Sequence, residues 1–175
     1  MLQSIHVGVE RTTSIVKSLR TFSRLDSETK SYANIHDLID SSITILNNKI
    51  KDRIKIVKDY KLKHLVNCFP GKMSQVFMNL LINALQSMDN EGTITIITQK
   101  KNRNCELIFR DTGTGMQKEI QSKIFDPFFT TKPVGEGTGM GLSIVHGIIK
   151  DHNGDIVVSS KPGQGTEFKI VLPEN

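Results

Sequence analysis

Two amide side chains, Asn79 and Asn83, stand four residues apart. On a helix that spacing puts them on one face, at the flank of the apolar stripe of Met73, Val76, Phe77, Leu80, Leu81, Ala84 and Met88. An amide oxygen is a hard, neutral ligand that suits Mg²⁺, which takes few protein ligands and fills its shell with water and substrate phosphates; the same amides can also simply satisfy nearby backbone. Asp111 leads into Thr112, Gly113, Thr114 and Gly115. A carboxylate there accepts without donating, as an exocyclic amine requires, and the glycines let the backbone approach a flat ligand; a plain strand-end turn is the simpler reading. Gly135, Gly137, Gly139 and Gly141 alternate ahead of a helical pattern. Backbone N–H groups freed by glycine, together with a helix N-terminus, favour phosphate over a mere hinge. Neither a dinucleotide fingerprint nor a Walker A loop explains them, because no strand precedes the run and Gly71-Lys72 is followed by Met73. Phe125, Phe128 and Phe129 sit in a loop that also carries Pro127 and Lys132. Those rings must dock on something or plug the local core, and Lys132 can reach a phosphate.

A scaffold must hold these groups, and 175 residues suffice for one domain, or one domain plus an appendage, without disulfide or metal staples. The chain is 37% apolar and 23% charged, which excludes disordered and collagen-like classes. No apolar run reaches the roughly 20 residues that span a bilayer, and no signal peptide follows Met1, so a cytoplasmic location is expected, with any membrane anchor lying upstream in a longer protein. Cys68 and Cys105 have no metal or CxxC spacing and read as reduced residues half-buried in strands. The net charge of +5 is densest from Lys49 to Lys63. With no nucleic-acid motif beside it, that cluster reads as a solvated face and not as a nucleic-acid partner surface.

Leu2, Ile5, Val9, Thr12, Val16, Leu19 and Ser23 follow heptad spacing, so residues 1 to about 27 are predicted as one long amphipathic helix that buries its stripe in a bundle, including one made with a second copy of the chain, or else packs back on its own domain. Residues 26–31 read as a linker. Helices are predicted at about 36–50, from Pro70 through Met88, near 117–123 and at about 139–152. Strands are predicted at about 53–60, 64–68, 93–98 and 106–110, with a closing hairpin of 154–160 and 165–172. The expected class is α+β: a two-layer sandwich with helices on one face of a mixed, mostly antiparallel sheet, preceded by the long N-terminal helix.

Taken in order, these elements resemble the nucleotide-binding domain of sensor histidine kinases, a Bergerat-fold ATPase domain shared with gyrase, Hsp90 and MutL. Asn79 to Ala84 resembles the N box, Asp111 to Gly115 the first glycine box, Phe125 to Phe129 the F box, Gly137 to Leu142 the second glycine box, and Gly163 to Thr166 the last glycine motif. The resemblance covers about 31–172 and implies ATP held under a mobile lid of roughly 116–138. It implies that Asn83 holds Mg²⁺, that Asn79 lines the phosphate side, and that Asp111 reads the adenine amine with support from Thr166. Gly113, Gly115, Gly137, Gly139, Gly141 and Leu142 become nucleotide-binding positions, and Lys132 a candidate for the phosphates. The hydrolysing relatives place a glutamate base four residues before the metal-binding asparagine. Here Asn79 stands there and cannot take a proton, so slow hydrolysis and transfer to a protein nucleophile are expected.

Residues 1–28 resemble the second helix of the dimerisation and phosphoacceptor hairpin, and 29–175 the ATP-binding catalytic domain. The acceptor motif of the first hairpin helix is absent: His6, His36, His64, His146 and His152 all lack its context, and His36-Asp37 is not followed by proline. The implied partners are a phosphoacceptor hairpin helix, a response regulator receiver domain, and a second copy in the full-length kinase. Such a chain is expected to bind ATP without phosphorylating itself. A stand-alone Bergerat ATPase or an anti-sigma-type serine kinase is the alternative.

Overall fold

The computed structural model describes residues 29–51, 53–133 and 137–174. The long helix expected over 1–27, and with it the hairpin assignment of 1–28, lies outside the described residues.

The described residues open with β1 (Ser31–Ala33), then α1 (Ile35–Ile45), α2 (Asn47–Ile50), β2 (Ile54–Tyr60) and β3 (Val66–Cys68). Asn34 caps α1 by accepting from the His36 N–H at 3.0 Å, and Asp37 sits in the positive first turn. The single helix expected over 36–50 breaks at Leu46, where the poor helix formers Asn47 and Asn48 follow. Ser31, read as linker, instead begins β1, which pairs antiparallel with β3.

Next come α3 (Pro70–Gln86), β4 (Gly92–Lys101) and β5 (Asn104–Asp111). Pro70 occupies the first turn of α3, where no N–H is needed. The stripe expected on this helix is fully buried, and Phe77 stacks on Phe109 of β5 at 5.7 Å. Beyond its far end Arg53 donates to the carbonyls of Met88, Asp89 and Asn90 at 2.7, 3.0 and 2.9 Å, which ties down the turn that leads into β4. After α4 (Lys118–Gln121) come α5 (Gly141–Asp151), β6 (Asp155–Ser160) and β7 (Thr166–Pro173).

The main sheet has the order β2-β4-β5-β7-β6, and only the β2–β4 pair is parallel. The crossover through β3 and α3 returns the chain to the same end of the sheet, as a parallel pair demands. Helices α1, α3 and α5 pack as a second layer on one face, giving the α+β sandwich of two layers. Cys68 and Cys105 are not half-buried but fully enclosed, and burial pushes the Cys105 thiol up to about 12, out of reach of ordinary thiol chemistry.

On the α1 side, His36 stacks flat on Tyr60 at 4.2 Å and shares a 2.7 Å hydrogen bond with Thr98, so the one His-Asp dipeptide is committed to packing. Within the basic run, Lys58 pairs with Asp40 and Lys61 with Asp59. No helix among the described residues is long and apolar enough to cross a membrane.

Candidate functional site

The C-terminal end of β5, the flank of α3 and the start of α5 enclose a cavity of about 430 Å³. Asp111, the last residue of β5, forms its floor and is 5% exposed. Three donors converge on one carboxylate oxygen. The Gly113 N–H lies 2.8 Å from Oδ1, the Thr166 N–H 3.2 Å, and the Ser87 hydroxyl, which the Ala84 carbonyl shares, 3.3 Å. The second oxygen, Oδ2, accepts none of these bonds. Burial raises the Asp111 pKa, and the three donors pull it back in part. The result is a carboxylate oriented by one oxygen and offering the other as an acceptor.

Tight backbone packing produces this arrangement. A Cβ on Gly113 would run into the Ser87 side chain at the end of α3, and Thr114 donates its N–H to the Ser87 carbonyl at 2.9 Å. Gly165 has φ +78°, and a Cβ there would meet the Asp111 carbonyl. Only glycine brings the turn before β7 that close to the end of β5.

Away from Asp111, the cavity meets α3 through Asn79, Asn83 and Gln86. Asn79 donates from Nδ2 to the Gly141 carbonyl at 3.1 Å and ties α3 to the first residue of α5. The Asn83 side chain makes no hydrogen bond among the described residues, so its amide oxygen is open to a ligand. The N-terminus of α5 carries no side-chain cap, and Gly137, Gly139, Gly141 and Leu142 line this end. Uncapped N–H groups and the positive pole of the helix suit an anion. The Lys132 ammonium reaches the same wall and bonds the Gln86 side-chain oxygen.

An apolar flank of Met116, Ile120, Ile124 and Phe129 completes the enclosure on the side of the long loop. The three phenylalanines of that loop divide. Phe125 packs near His146 at 5.3 Å, Phe129 faces the cavity, and Phe128 is 56% exposed with φ +66°.

Every residue given a nucleotide or metal role from the sequence therefore borders this cavity except Gly113, which sits behind Asp111; Gly135 of the glycine run falls outside the described residues. Thr166 supports Asp111 by its backbone N–H, while its hydroxyl turns to Ser160 at 3.0 Å. Sequence reasoning missed Gln86 and Ser87. Gln86 was within reach, because 79, 83 and 86 continue one helical face. Among the described residues no group of three or more His, Cys, Asp or Glu side chains could hold a metal.

Residues 70–175 match the family model described as histidine kinase-, DNA gyrase B-, and HSP90-like ATPase. The sensor kinase CckA of Brucella abortus (strain 2308) is 34% identical over 98% of this chain, which spans 20% of that protein's length. Among solved structures, the catalytic domain of histidine kinase ThkA is similar with a TM-score of 0.75 at 29% identity, over 83% of this chain and 96% of that one. Histidine kinase ThkA in complex with response regulator protein TrrA gives 0.78 at 26% identity, over 96% of this chain and 48% of that one. A carboxylate floor, an uncapped helix start, the two-layer fold and these matches converge: the chain belongs to the histidine kinase-, DNA gyrase B- and HSP90-like ATPase family, as an ATP-binding catalytic domain of the sensor histidine kinase kind.

Proposed function

We propose that this chain is the catalytic part of a two-component sensor histidine kinase, binding Mg-ATP and presenting its γ-phosphoryl to a histidine on a separate hairpin helix. The observation that carries this reading is Asp111: a buried carboxylate with one oxygen saturated by the fold and the other available, in the same cavity as an uncapped helix N-terminus. Asp111 Oδ2 accepts from the adenine amine. The apolar flank of Met116, Ile120 and Ile124 covers the purine. The amides at the start of α5 and the Lys132 ammonium face the phosphates.

The site fits Mg²⁺ in one respect, the open amide of Asn83 beside the anion-favouring helix start, and Asn83 is the residue assigned to hold it. Held by Asn83, such an ion would supply positive charge against the phosphates. In the transfer, the bond from the γ-phosphorus to the ADP oxygen breaks as a bond to the acceptor imidazole nitrogen forms, and the imidazole proton passes to solvent. Asn79 cannot serve as the base that activates water, and its amide is already committed to Gly141. This favours transfer over hydrolysis.

Residues 1–28 are assigned to the second hairpin helix and 29–175 to the catalytic domain. The hairpin supplies the acceptor and the contact with a second copy of the chain. A response regulator receiver domain is the onward partner, in keeping with the ThkA–TrrA complex. The test supplies the chain with a separate phosphoacceptor hairpin and γ-labelled ATP. Acid-labile label on the hairpin histidine is expected. Acid-stable label on serine, or label released only as inorganic phosphate, would contradict the assignment.

A further inference from the structure

Ser160, the last residue of β6, stands one layer behind the cavity, and its hydroxyl has three partners. It donates to the Gly165 carbonyl at 2.8 Å, accepts from the Met116 N–H at 2.8 Å, and lies 3.0 Å from the Thr166 hydroxyl. A serine hydroxyl has one hydrogen and two lone pairs. The hydrogen is spent on Gly165, and the Met116 N–H fills one lone pair. The Thr166 contact can then run in only one direction, with Thr166 donating to Ser160. The Thr166 hydroxyl borders the cavity and makes no other hydrogen bond among the described residues. With its hydrogen turned away, it shows the cavity only lone pairs.

We infer that Ser160 is a positioning residue for base selection. By holding the Thr166 hydrogen it leaves two acceptors in the cavity lining, Thr166 Oγ1 and Asp111 Oδ2, on residues that the Thr166 N–H bond to Asp111 Oδ1 ties together. This inference rests on the adenine reading of the cavity given above. An amino group at the purine 6-position meets that pair with hydrogens. A 6-oxo group meets it with lone pairs, and its mismatch is not relieved because neither acceptor can turn over into a donor. Asp111 alone leaves a way out for a 6-oxo purine, since a neighbouring hydroxyl free to rotate could donate to it. Ser160 closes that route. The same hydroxyl pins the start of the long loop through Met116 and the glycine turn through Gly165, so the polarity of the floor and the position of the loop are set by one atom.

The test compares ADP and GDP as competitors for a fluorescent adenine nucleotide bound to the full chain. In Ser160→Ala the Thr166 hydrogen loses its acceptor and can swing into the cavity. The preference for ADP over GDP is expected to fall on the order of fivefold, the equivalent of one recovered hydrogen bond. Ser160→Thr, which keeps the hydroxyl, is expected to retain the wild-type ratio. Should the alanine chain not fold, Ser160→Cys, a weak donor and acceptor of similar size, is expected to move the ratio the same way. A purely structural role would weaken both nucleotides together and leave the ratio unchanged, and that result would overturn the inference, as would an equal drop in Ser160→Thr. Failure of the wild-type chain to bind either nucleotide would instead remove the adenine reading itself.

Discussion

The backbone N–H of Thr166 donates to Asp111 Oδ1 across 3.2 Å, although 55 positions separate the two residues in the chain. The bond joins the first residue of β7 to the last of β5, neighbouring strands of the main sheet. Together with the Gly113 and Ser87 donors it fixes which carboxylate oxygen faces the protein and which faces the cavity. The orientation of the Asp111 carboxylate thus depends on how β5 and β7 lie together as well as on the turn that follows Asp111.

Asp111→Asn changes the cavity-facing group without changing its shape. The three donors hold the amide oxygen, so the NH₂ turns toward the ligand and confronts the adenine amine with a second donor. ADP affinity is expected to fall at least about tenfold, as for loss of a hydrogen bond to a charged group; calorimetric titration checks this. The nucleotide-free variant is expected to be more stable than wild type at neutral pH. The folded-state pKa of Asp111 is raised by burial, so the ionised wild type carries a cost above that pKa. The cost disappears as pH falls through it and the carboxyl protonates in place. Thermal melts from neutral to acid pH should show the gain shrinking, and a constant gap would contradict the sign.

His152 supplies an opposite pH dependence. Its Nδ1–H donates to the Ile148 carbonyl at 2.7 Å and Nε2 accepts the Phe69 N–H at 3.0 Å, so the imidazole must be neutral. Burial holds its pKa below 6.5, and burial does the same to His36. Unfolded histidine therefore binds a proton that the folded residue refuses, and stability is lost as pH drops below about 6.5. Replacement of His152 by glutamine is expected to cost about 1–3 kcal/mol at neutral pH and to flatten part of this slope, with His36 retaining the remainder. Melting temperatures across pH 7 to 5 measure both effects.

Two glycines are expected to respond in opposite directions. Gly147 lies on the exposed side of α5, mid-helix, and a methyl group added there would have no neighbour within 4 Å. Gly147→Ala is expected to stabilise by about 0.5–1 kcal/mol. Gly165→Ala combines a φ of +78° with a collision against the Asp111 backbone. It is expected to destabilise by about 2 kcal/mol or more and to weaken nucleotide binding, because the collision displaces the Asp111 floor. Denaturant titrations of the two variants against wild type give both signs.

Asn79 and Asn83 are separable. Asn79→Ala removes the bond to the Gly141 carbonyl and is expected to cost about 1 kcal/mol of stability. Asn83→Ala breaks no side-chain hydrogen bond among the described residues. It is expected to leave stability within about 0.5 kcal/mol of wild type while flattening the Mg²⁺ dependence of ATP binding. A titration series in Mg²⁺ reads this directly, and an unchanged metal dependence would remove Asn83 from the metal role.

Local pattern made much of the site legible. Helical spacing placed Asn79 and Asn83 beside a buried stripe, Pro70 marked the start of α3, and the alternating glycines marked the start of α5. Alternation and turn residues gave the β4–β5 and β6–β7 pairs. What escaped depends on partners far along the chain. The three residues of β1 show no periodicity and become a strand only because β3 lies beside them. The parallel β2–β4 register follows from a crossover that local spacing does not encode. Ser87 and Ser160 look like ordinary polar residues until the fold carries them to Asp111 and Thr166. The break at Leu46 was available in Asn47 and Asn48, but the apolar stripe continuing to Ile50 masked it.

The most direct measurement is a crystal structure of the chain with Mg²⁺ and a non-hydrolysable ATP analogue. The purine amine is expected within hydrogen-bonding distance of Asp111 Oδ2, with the phosphates against the start of α5. A base bound elsewhere, or Asp111 left without a nucleotide contact while the analogue is ordered, would contradict the account.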